Sequence, residues 1–507
     1  MLPFDNRTGQ PSLEWIREAA PEILSSRFAS AGFAPMSRED RRYALDHLGM
    51  PQGFHPSRAT ALKLAETLDA DSIVVGSYLV DGTGIVAQAQ VVDVVHLRMS
   101  EMVSERGEMR DLIGVFGSLA WKLTRQLDPS FSGSEETFVA AGAGQRLDAF
   151  EQYIRGITEP DQQERLRHLK LAVQESPDLG PAWMALGRED YNSQHYEEAA
   201  AAFAKVGGGN SGPLEPDALE AGFYRGLSLL FSGDYRKAEE AFDSVARVLP
   251  LAEVLNNEGV AVSRQGRDGI VFFGQAETAD PNAADYHFNL AVSLKRQGKA
   301  ADAQAELTQC LRLRPNDAEA QELHAAWTGT KGEIATALSE SANGEPQLKV
   351  DPLERIARNF DAVAFRQAAL MLDQMDASRL ADLTPEKRAQ KLAGQAKDYL
   401  DRGLLLEAER LYQSALAVDS RVAEAHAGLA EVRERTGDAD GARKEAHAAL
   451  ELAPSADAYL VLARLDLAAN HLDEADKEVG EAIALNPASW VAQELKQQIE
   501  ARVGPKK

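Results

Sequence analysis

The chain has 507 residues, of which 44% are hydrophobic and 26% are charged, and its formal net charge is -25. Such an acidic surface repels phosphate backbones and anionic membrane surfaces, so we expect no nucleic-acid partner. The longest apolar run, Ile73–Val80, is too short for a membrane-spanning helix, and we expect no direct membrane insertion. The single cysteine, Cys310, can form neither a disulfide framework nor a thiolate metal site.

Residues 1–130 have the pattern of a small α/β domain. Ile73–Val80 is rich in β-branched residues, a turn with glycine follows, and Ile85–Val92 alternates apolar and polar side chains. This pattern predicts a hairpin with one buried face. A third strand is expected over Leu97–Ser104, and apolar residues at helical spacing predict a helix over Asp111–Leu127. Pro21 is expected to break or restart the first helix upstream.

Several of these segments resemble the TolB-type N-terminal domain, namely Leu2–Gly9, Ala70–Tyr78, Gln90–Asp93 and the helix Asp111–Leu127. The resemblance implies a non-catalytic domain with an assembly or docking role, of the kind found in bacterial cell-envelope proteins ahead of repeat arrays. Family members usually carry further β residues before the first of these segments, often after a signal peptide. We therefore expect a cytoplasmic protein as the chain is written, and a periplasmic one if its N-terminus is truncated.

A pattern with a period of about 34 residues follows this region. Its clearest copies begin near Leu219, Ala284, Ala423 and Ala456, and each ends in a proline. Small residues recur in both halves of each copy, where they let two helices approach closely, and large apolar residues fill the space beside them. The pattern resembles the tetratricopeptide repeat. The resemblance implies roughly eight pairs of antiparallel helices stacked into a solenoid.

The predicted fold is therefore α+β overall, with an N-terminal α/β domain at residues 1–130 and an all-α solenoid in two arrays. The first array is expected at residues 145–328. The second array is expected at residues 386–503 and includes a C-terminal cap helix in which Trp490, Leu495 and Ile499 face inward. Residues 329–385 are predicted to be a linker and helical spacer, with a loop over Gly329–Pro352 and a helix over Leu353–Leu383.

The candidate binding residues lie in two neighbouring repeats of the first array. Asn257 and Asn289 stand at matching positions, where an amide facing the concave groove can pair with both the N–H and the C=O of an extended peptide. Arg264, Lys295 and Arg296 follow about two turns later and could attract a carboxylate or an acidic segment. The alternative is that asparagine at this position serves only the packing of the repeat.

Other candidate sites are weaker. His47 and His55 lack a third ligand in register, so we expect no metal, and the run Gly207–Gly212 lacks the strand and lysine of a phosphate-binding loop. No cofactor and no catalytic residue are expected. The predicted function is a non-catalytic scaffold that binds protein or peptide partners through the repeat groove, with bacterial cell-envelope assembly as the expected setting. The alternative is a regulatory or accessory subunit of an enzyme or signalling system encoded elsewhere. The sequence does not determine an oligomeric state.

Overall fold

The computed structural model describes residues 1–50, 58–142, 144–206, 216–328, 338–340, 346–348, 352–361, 365, 371, 375 and 377–503. The chain forms two compact units. We call Met1–Leu179 together with Ala377–Lys507 the terminal unit, and Gly180–Asp376 the central unit. The domain boundaries expected from the sequence stay predictions.

The terminal unit begins with a small sheet. Its strands are β1 (Asp5–Asn6), β2 (Ser72–Asp81), β3 (Gly84–Asp93), β4 (Arg98–Met99) and β5 (Val103–Glu108). β1 pairs in parallel with β2, and β2 and β3 pair antiparallel along their whole length, which confirms the predicted hairpin. The predicted third strand is split, because both β4 and β5 pair with β3 at different points.

Five helices accompany this sheet: α1 (Ile16–Ser30), α2 (Arg38–His47), α3 (Arg58–Thr67), α4 (Leu112–Leu127) and α5 (Glu135–Ala140). The prediction that Pro21 breaks the first helix is wrong, since Pro21 lies inside α1. A proline has no N–H for the carbonyl four residues earlier, which is that of Arg17. That carbonyl instead accepts from the N–H of Phe4 at 3.0 Å, so it still has a backbone donor.

Most of the remaining helices that the structure describes form antiparallel pairs. In the central unit they are α8 (Gly180–Asn192), α9 (Tyr196–Phe203), α10 (Pro216–Ser232), α11 (Tyr235–Ala246), α12 (Ala252–Arg264), α13 (Ile270–Ala279), α14 (Ala284–Arg296), α15 (Ala300–Leu313) and α16 (Ala318–Thr328). Close packing explains the small residues: a Cβ on Gly226 would lie 2.6 Å from the ring of Phe242. Gly298 adopts a φ of 75° in the turn between α14 and α15, which favours glycine.

The terminal unit contains a second set of paired helices. They are α6 (Leu147–Thr158), α7 (Gln162–Glu175), α17 (Pro385–Asp401), α18 (Leu405–Val418), α19 (Ala423–Arg435), α20 (Ala439–Leu452), α21 (Ala456–Ala468), α22 (Leu472–Leu485) and α23 (Trp490–Val503). Leu495 and Ile499 face inward as predicted, but Trp490 is 71% exposed. Trp490 is the first residue of α23 and, since helical side chains lean toward the N-terminus, its ring extends beyond the packed face.

The spacer between the arrays differs from its prediction. A short antiparallel pair, β6 (Leu338–Glu340) and β7 (Pro346–Leu348), lies within the expected loop. The prediction of a helix from Leu353 is wrong for residues 352–361, which contain no helical turn, whereas the described positions from 365 to 381 are helical. Within the described ranges, no helix is both long and apolar enough to cross a membrane.

Candidate peptide-binding groove

Asn257 and Asn289 occupy the same place in two neighbouring repeats of the central unit. Each is the sixth residue of a 13-residue helix, α12 or α14, that is the first helix of its repeat. Both residues are completely buried. A buried amide needs partners for both its oxygen and its NH₂ group, so these two positions require polar groups beside them.

The partner of both asparagines is a segment of the same chain, residues 352–361, which we call the groove segment. Asn257 donates to the carbonyl of Ala357 at 2.8 Å and accepts from its N–H at 2.9 Å. Asn289 makes the same two bonds to the main chain of Arg355, at 2.7 and 2.6 Å. Each asparagine thus binds both the donor and the acceptor of one residue.

The spacing of these contacts shows how the groove segment lies. Arg355 and Ala357 are two residues apart, and both present their N–H and C=O to the helices. That is the geometry of an extended chain, in which every second residue faces the same side. In a helix these groups would bond to the chain itself. Two asparagines on adjacent repeats therefore read two alternate residues of an extended peptide.

Two further side chains of α12 join this network. Asn256 accepts from Asn289 at 2.7 Å and donates to the Arg355 carbonyl at 3.0 Å, so it links the two repeats. Glu253, which is nearly buried, accepts from the N–H of Asp361 at 3.0 Å. Asn256 was not predicted from the sequence, although its position directly before Asn257 was a usable signal.

The side chain of Glu354 enters a basic pocket. It is 1% exposed and contacts Arg296, while Arg264 Nε lies 3.7 Å from its second carboxylate oxygen. Ser263 donates to the same carboxylate, and Arg296 also donates to the carbonyl of Pro352 at 2.7 Å. A carboxylate buried this deeply needs compensating charge, and the two guanidinium groups supply it.

The next side chain, Arg355, enters a pocket of opposite charge. Its guanidinium donates to Asp317 at 2.6 and 2.8 Å, to Asp285 at 2.9 Å and to Glu319 at 3.0 Å. Its Cζ also lies 3.6 Å from the ring centroid of Phe288, which is a cation–π contact. Burial lowers the pKa of Arg355, but the carboxylates outweigh that effect and raise it above its usual range.

Beyond these charges, the groove segment enters the apolar core of the central unit. Ile356 and Phe360 are partly buried there, and Phe365 is buried. The ring of Phe360 lies 5.5 Å from that of Phe223 on α10, and Arg358 lies over the ring of Phe231 at 5.3 Å. The groove therefore recognises the main chain, two opposite charges and an aromatic group along one segment.

The structure brings together four of the five residues chosen from the sequence. Asn257, Asn289, Arg264 and Arg296 all contact the groove segment. Lys295 instead lies over the ring of Trp327, 5.3 Å from its centroid. The sequence analysis missed the acceptors of Arg355, which are Asp285, Asp317 and Glu319. Because these come from different parts of two repeats, their spacing in the sequence gives no signal.

A trio of possible metal ligands, Glu277, His287 and Glu306, also lies in this unit. Both nitrogens of His287 already have partners, with Nδ1 2.7 Å from Glu306 and Nε2 3.0 Å from the carbonyl of Pro281. The same pairing recurs in the terminal unit, where His426 lies 2.7 Å from Glu445. This recurrence indicates a structural pair that holds two helices of a repeat together.

Of the weaker candidates from the sequence, the structure describes only His47. His47 stacks on Tyr43 with ring centroids 6.2 Å apart. His55 and the run Gly207–Gly212 lie outside the residues that the structure describes.

The helical pairs agree with the matches to a known family model. The family model of the tetratricopeptide repeat matches residues 394–457 and 284–317. No curated protein matches the chain.

Among solved structures, MamA from Desulfovibrio magneticus is 22% identical, with 37% of this chain and 99% of that chain covered and a TM-score of 0.29. YrrB, described as a TPR protein with an unusual peptide-binding site, is 14% identical, with 41% and 98% covered and a TM-score of 0.29. A TPR protein of Thermus thermophilus is 15% identical, with 36% and 98% covered and a TM-score of 0.26. The two family matches, one in each unit, show that this chain contains tetratricopeptide repeats.

Proposed function

We propose that the chain is a non-catalytic scaffold whose first array holds an extended peptide of a partner protein. The observation that carries this proposal is the pair of bidentate contacts that Asn257 and Asn289 make to alternate residues of an extended segment. Concave faces of helical repeats are common binding surfaces, and main-chain recognition accepts many sequences. The peptide-binding residues in this proposal are Asn257, Asn289, Arg264 and Arg296, whereas Lys295, which the sequence also suggested, lies over Trp327.

The size of the expected effect follows from the number of hydrogen bonds. Each asparagine contributes two bonds to the main chain, worth about 1 kcal/mol net apiece. Replacing either asparagine by alanine should therefore weaken peptide binding about five- to thirtyfold. Arg264 and Arg296 add attraction for a carboxylate that should fall as salt rises, because partly exposed charges are screened.

We also propose that residues 1–130 are a TolB-like domain with a docking role at the bacterial cell envelope. The resemblance of Leu2–Gly9 supports this, since residues of that segment run parallel to β2, with Leu2 and Arg7 donating to Val74 and Tyr78. The location can be tested in a strain whose cell envelope is impaired by loss of this protein. The chain with an attached periplasmic export signal and the chain without one are compared for which of them repairs the envelope.

The groove is tested with a labelled peptide that has the sequence of residues 352–361. The protein is the full chain with Glu354→Ala and Arg355→Ala, so that its own segment no longer holds the groove through its charges. Fluorescence anisotropy should show saturable binding, and adding Asn257→Ala and Asn289→Ala should abolish it. Asn486→Ala, an exposed asparagine after α22, is the matched control and should have no effect. If the peptide fails to bind, or binds equally well without the two asparagines, the proposal is wrong.

A further inference from the structure

The groove that we assign to a partner peptide already holds a segment of its own chain. We propose that the groove segment, residues 352–361, is an internal ligand that blocks the first array, and that the partner displaces it with a peptide carrying the same glutamate–arginine pair. This inference rests on the proposed function, because it assumes that the groove binds a peptide from another molecule. It adds the chemical class of that peptide and the way its binding is regulated.

The chemical class follows from two adjacent pockets of opposite charge. Glu354 meets two guanidinium groups and the hydroxyl of Ser263. Arg355 meets three carboxylates and the face of Phe288. Neighbouring side chains of an extended peptide point to opposite sides, so each pocket can accept only one of the two residues. A peptide with the reversed order would place each charge beside like charges, which is strongly unfavourable.

The order of the remaining contacts extends the pattern. An apolar residue follows the arginine, as Ile356 does, and its side chain packs on the core of the central unit. Asn257 then holds the next residue through its main chain alone, so this position carries little sequence information. An aromatic residue three positions later, as in Phe360, completes the match. The expected partner peptide is thus extended and contains glutamate, arginine and an apolar residue in sequence.

The contacts of the groove segment are those of a ligand more than those of a core element. Its main chain is bonded by side chains of the groove, and it has no helical turn of its own. Leu353, between two anchored residues, is 55% exposed. A segment tied to the same chain competes at an effective concentration that is often millimolar. A partner peptide should therefore bind the native chain much more weakly than a chain whose own segment has been released.

The experiment compares three full-length chains: the native protein, the Glu354→Ala and Arg355→Ala variant, and a control with Arg312→Ala and Glu322→Ala. The control pair lies in the same unit, has the same charges and is exposed. The probe is a labelled peptide with the sequence of residues 352–361. Anisotropy should show binding to the released variant that is roughly tenfold or more tighter than to the native chain, with the control matching the native chain.

A second peptide tests the charge order. It has the same composition, with the glutamate and arginine exchanged, and it should bind the released variant roughly tenfold or more weakly than the first peptide. Equal binding of the two peptides would overturn the specificity. Equal binding of the first peptide to the native and released chains would overturn the blocking role, while groove binding would stand. Failure of the first peptide on both chains would instead remove the proposed function itself.

A measurement on the native chain covers the case in which the released variant unfolds. Excess unlabelled peptide should speed hydrogen exchange in residues 352–361 as the segment leaves the groove, and leave exchange in α19–α21 unchanged. The reversed peptide serves as the control. If excess of the first peptide leaves the exchange of residues 352–361 unchanged, the segment is a fixed structural part and the inference is wrong.

Discussion

The first helices of four repeats, α12 and α14 in the central unit and α19 and α21 in the terminal unit, all have 13 residues and can be compared position by position. Their eighth residues are all small and buried, namely Gly259, Ala291, Ala430 and Ala463. Their sixth residues differ: α12 and α14 have asparagine, whereas α19 has Gly428 and α21 has Val461. Among these four helices, the two with a polar sixth residue are the two that hold the groove segment.

This difference separates packing from binding. The eighth position must stay small because the second helix of the repeat approaches there, as the Cβ of a side chain on Gly259 would lie 2.8 Å from Phe273. The sixth position is less uniform: glycine, valine and asparagine all occur there buried, although in α19 a Cβ on Gly428 would lie 2.0 Å from Tyr412. A buried asparagine costs free energy unless its partners are present, so its presence twice indicates a binding role.

The largest expected effect comes from Arg355→Ala, because it leaves the side chain of Asp317, which is 7% exposed, without its closest cation. Breaking a buried ion pair costs about 3–5 kcal/mol, and the nearby Arg314 should reduce this to roughly 2–3 kcal/mol. Arg435→Ala in α19 removes an ion pair in which the arginine side chain is 41% exposed, and it should cost less than about 1 kcal/mol. Urea unfolding of both variants measures the difference. Equal losses would remove the special role of the Arg355 pocket.

A smaller loss for each substituted residue is expected when Asn257 and Asn289 are both replaced by alanine. The main-chain groups of Arg355 and Ala357 would lose their partners, and the central unit should lose about 2–4 kcal/mol. Val461→Ala at the matching position of α21 is the control. It removes only buried carbon and should leave the groove intact. Calorimetry should show a loss in the central unit for the double asparagine variant and a loss in the terminal unit for Val461→Ala. A Val461→Ala chain that loses the groove segment would contradict the comparison.

The seventh position gives a pH-dependent prediction. It is leucine in α14, α19 and α21 but Glu258 in α12, where burial first, and then Asp243 and Glu239, raise its pKa to about 7 against the opposing effect of Arg247. A carboxyl group whose folded pKa is raised is stable as the neutral acid. The contribution of Glu258 to the stability of the folded chain is full below pH 4.5 and is lost as the pH rises through about 7.

Glu258→Leu should therefore stabilise the chain above pH 7, by roughly 1–3 kcal/mol. The gain should shrink toward pH 5, where Glu258 is protonated in the folded chain. Thermal melting across pH 5 to 8 checks this, with Glu258→Gln as the variant that keeps the shape of the side chain. A gain that does not change with pH would show that Glu258 does not titrate in this range.

The smallest effect is expected for Lys295→Ala. Lys295 lies over Trp327 and not on the groove segment, so its removal should change peptide affinity less than about twofold. Arg296→Ala, its neighbour, loses the contact to Glu354 and should weaken binding more and flatten its salt dependence. Anisotropy titrations at two salt concentrations distinguish them. If the two variants weaken peptide binding equally, Lys295 belongs to the binding site.

The sequence predicted the repeats because their packing is local and periodic. The shared phase of Asn257 and Asn289 also identified the groove without any knowledge of its contents. The groove segment could not be predicted, since Ile356 and Phe360 are four residues apart and look like one face of a helix. Hydrogen bonds to Asn256, Asn257 and Asn289, which lie 66 to 100 residues away in the sequence, override that local tendency.

The predictions for Pro21 and Trp490 failed for the same reason, which is that the local sequence does not show the surroundings of a residue. Pro21 is tolerated in α1 because Phe4, from another element, satisfies the free carbonyl. Trp490 has helical spacing with Leu495 and Ile499, but the end of the helix places its ring outside the packed face. Periodicity states which residues share a face, and only the folded chain shows what that face meets.

The central claim is that the two asparagines hold an extended peptide in the groove of the central unit. Hydrogen exchange of the Arg355 and Ala357 amides, measured by mass spectrometry on the native chain, tests it most directly. Both amides donate to asparagine oxygens, so they should exchange slowly in the native chain and much faster in the Asn257→Ala and Asn289→Ala variant. The Val461→Ala chain should match the native one. Equal exchange in all three chains would contradict the claim.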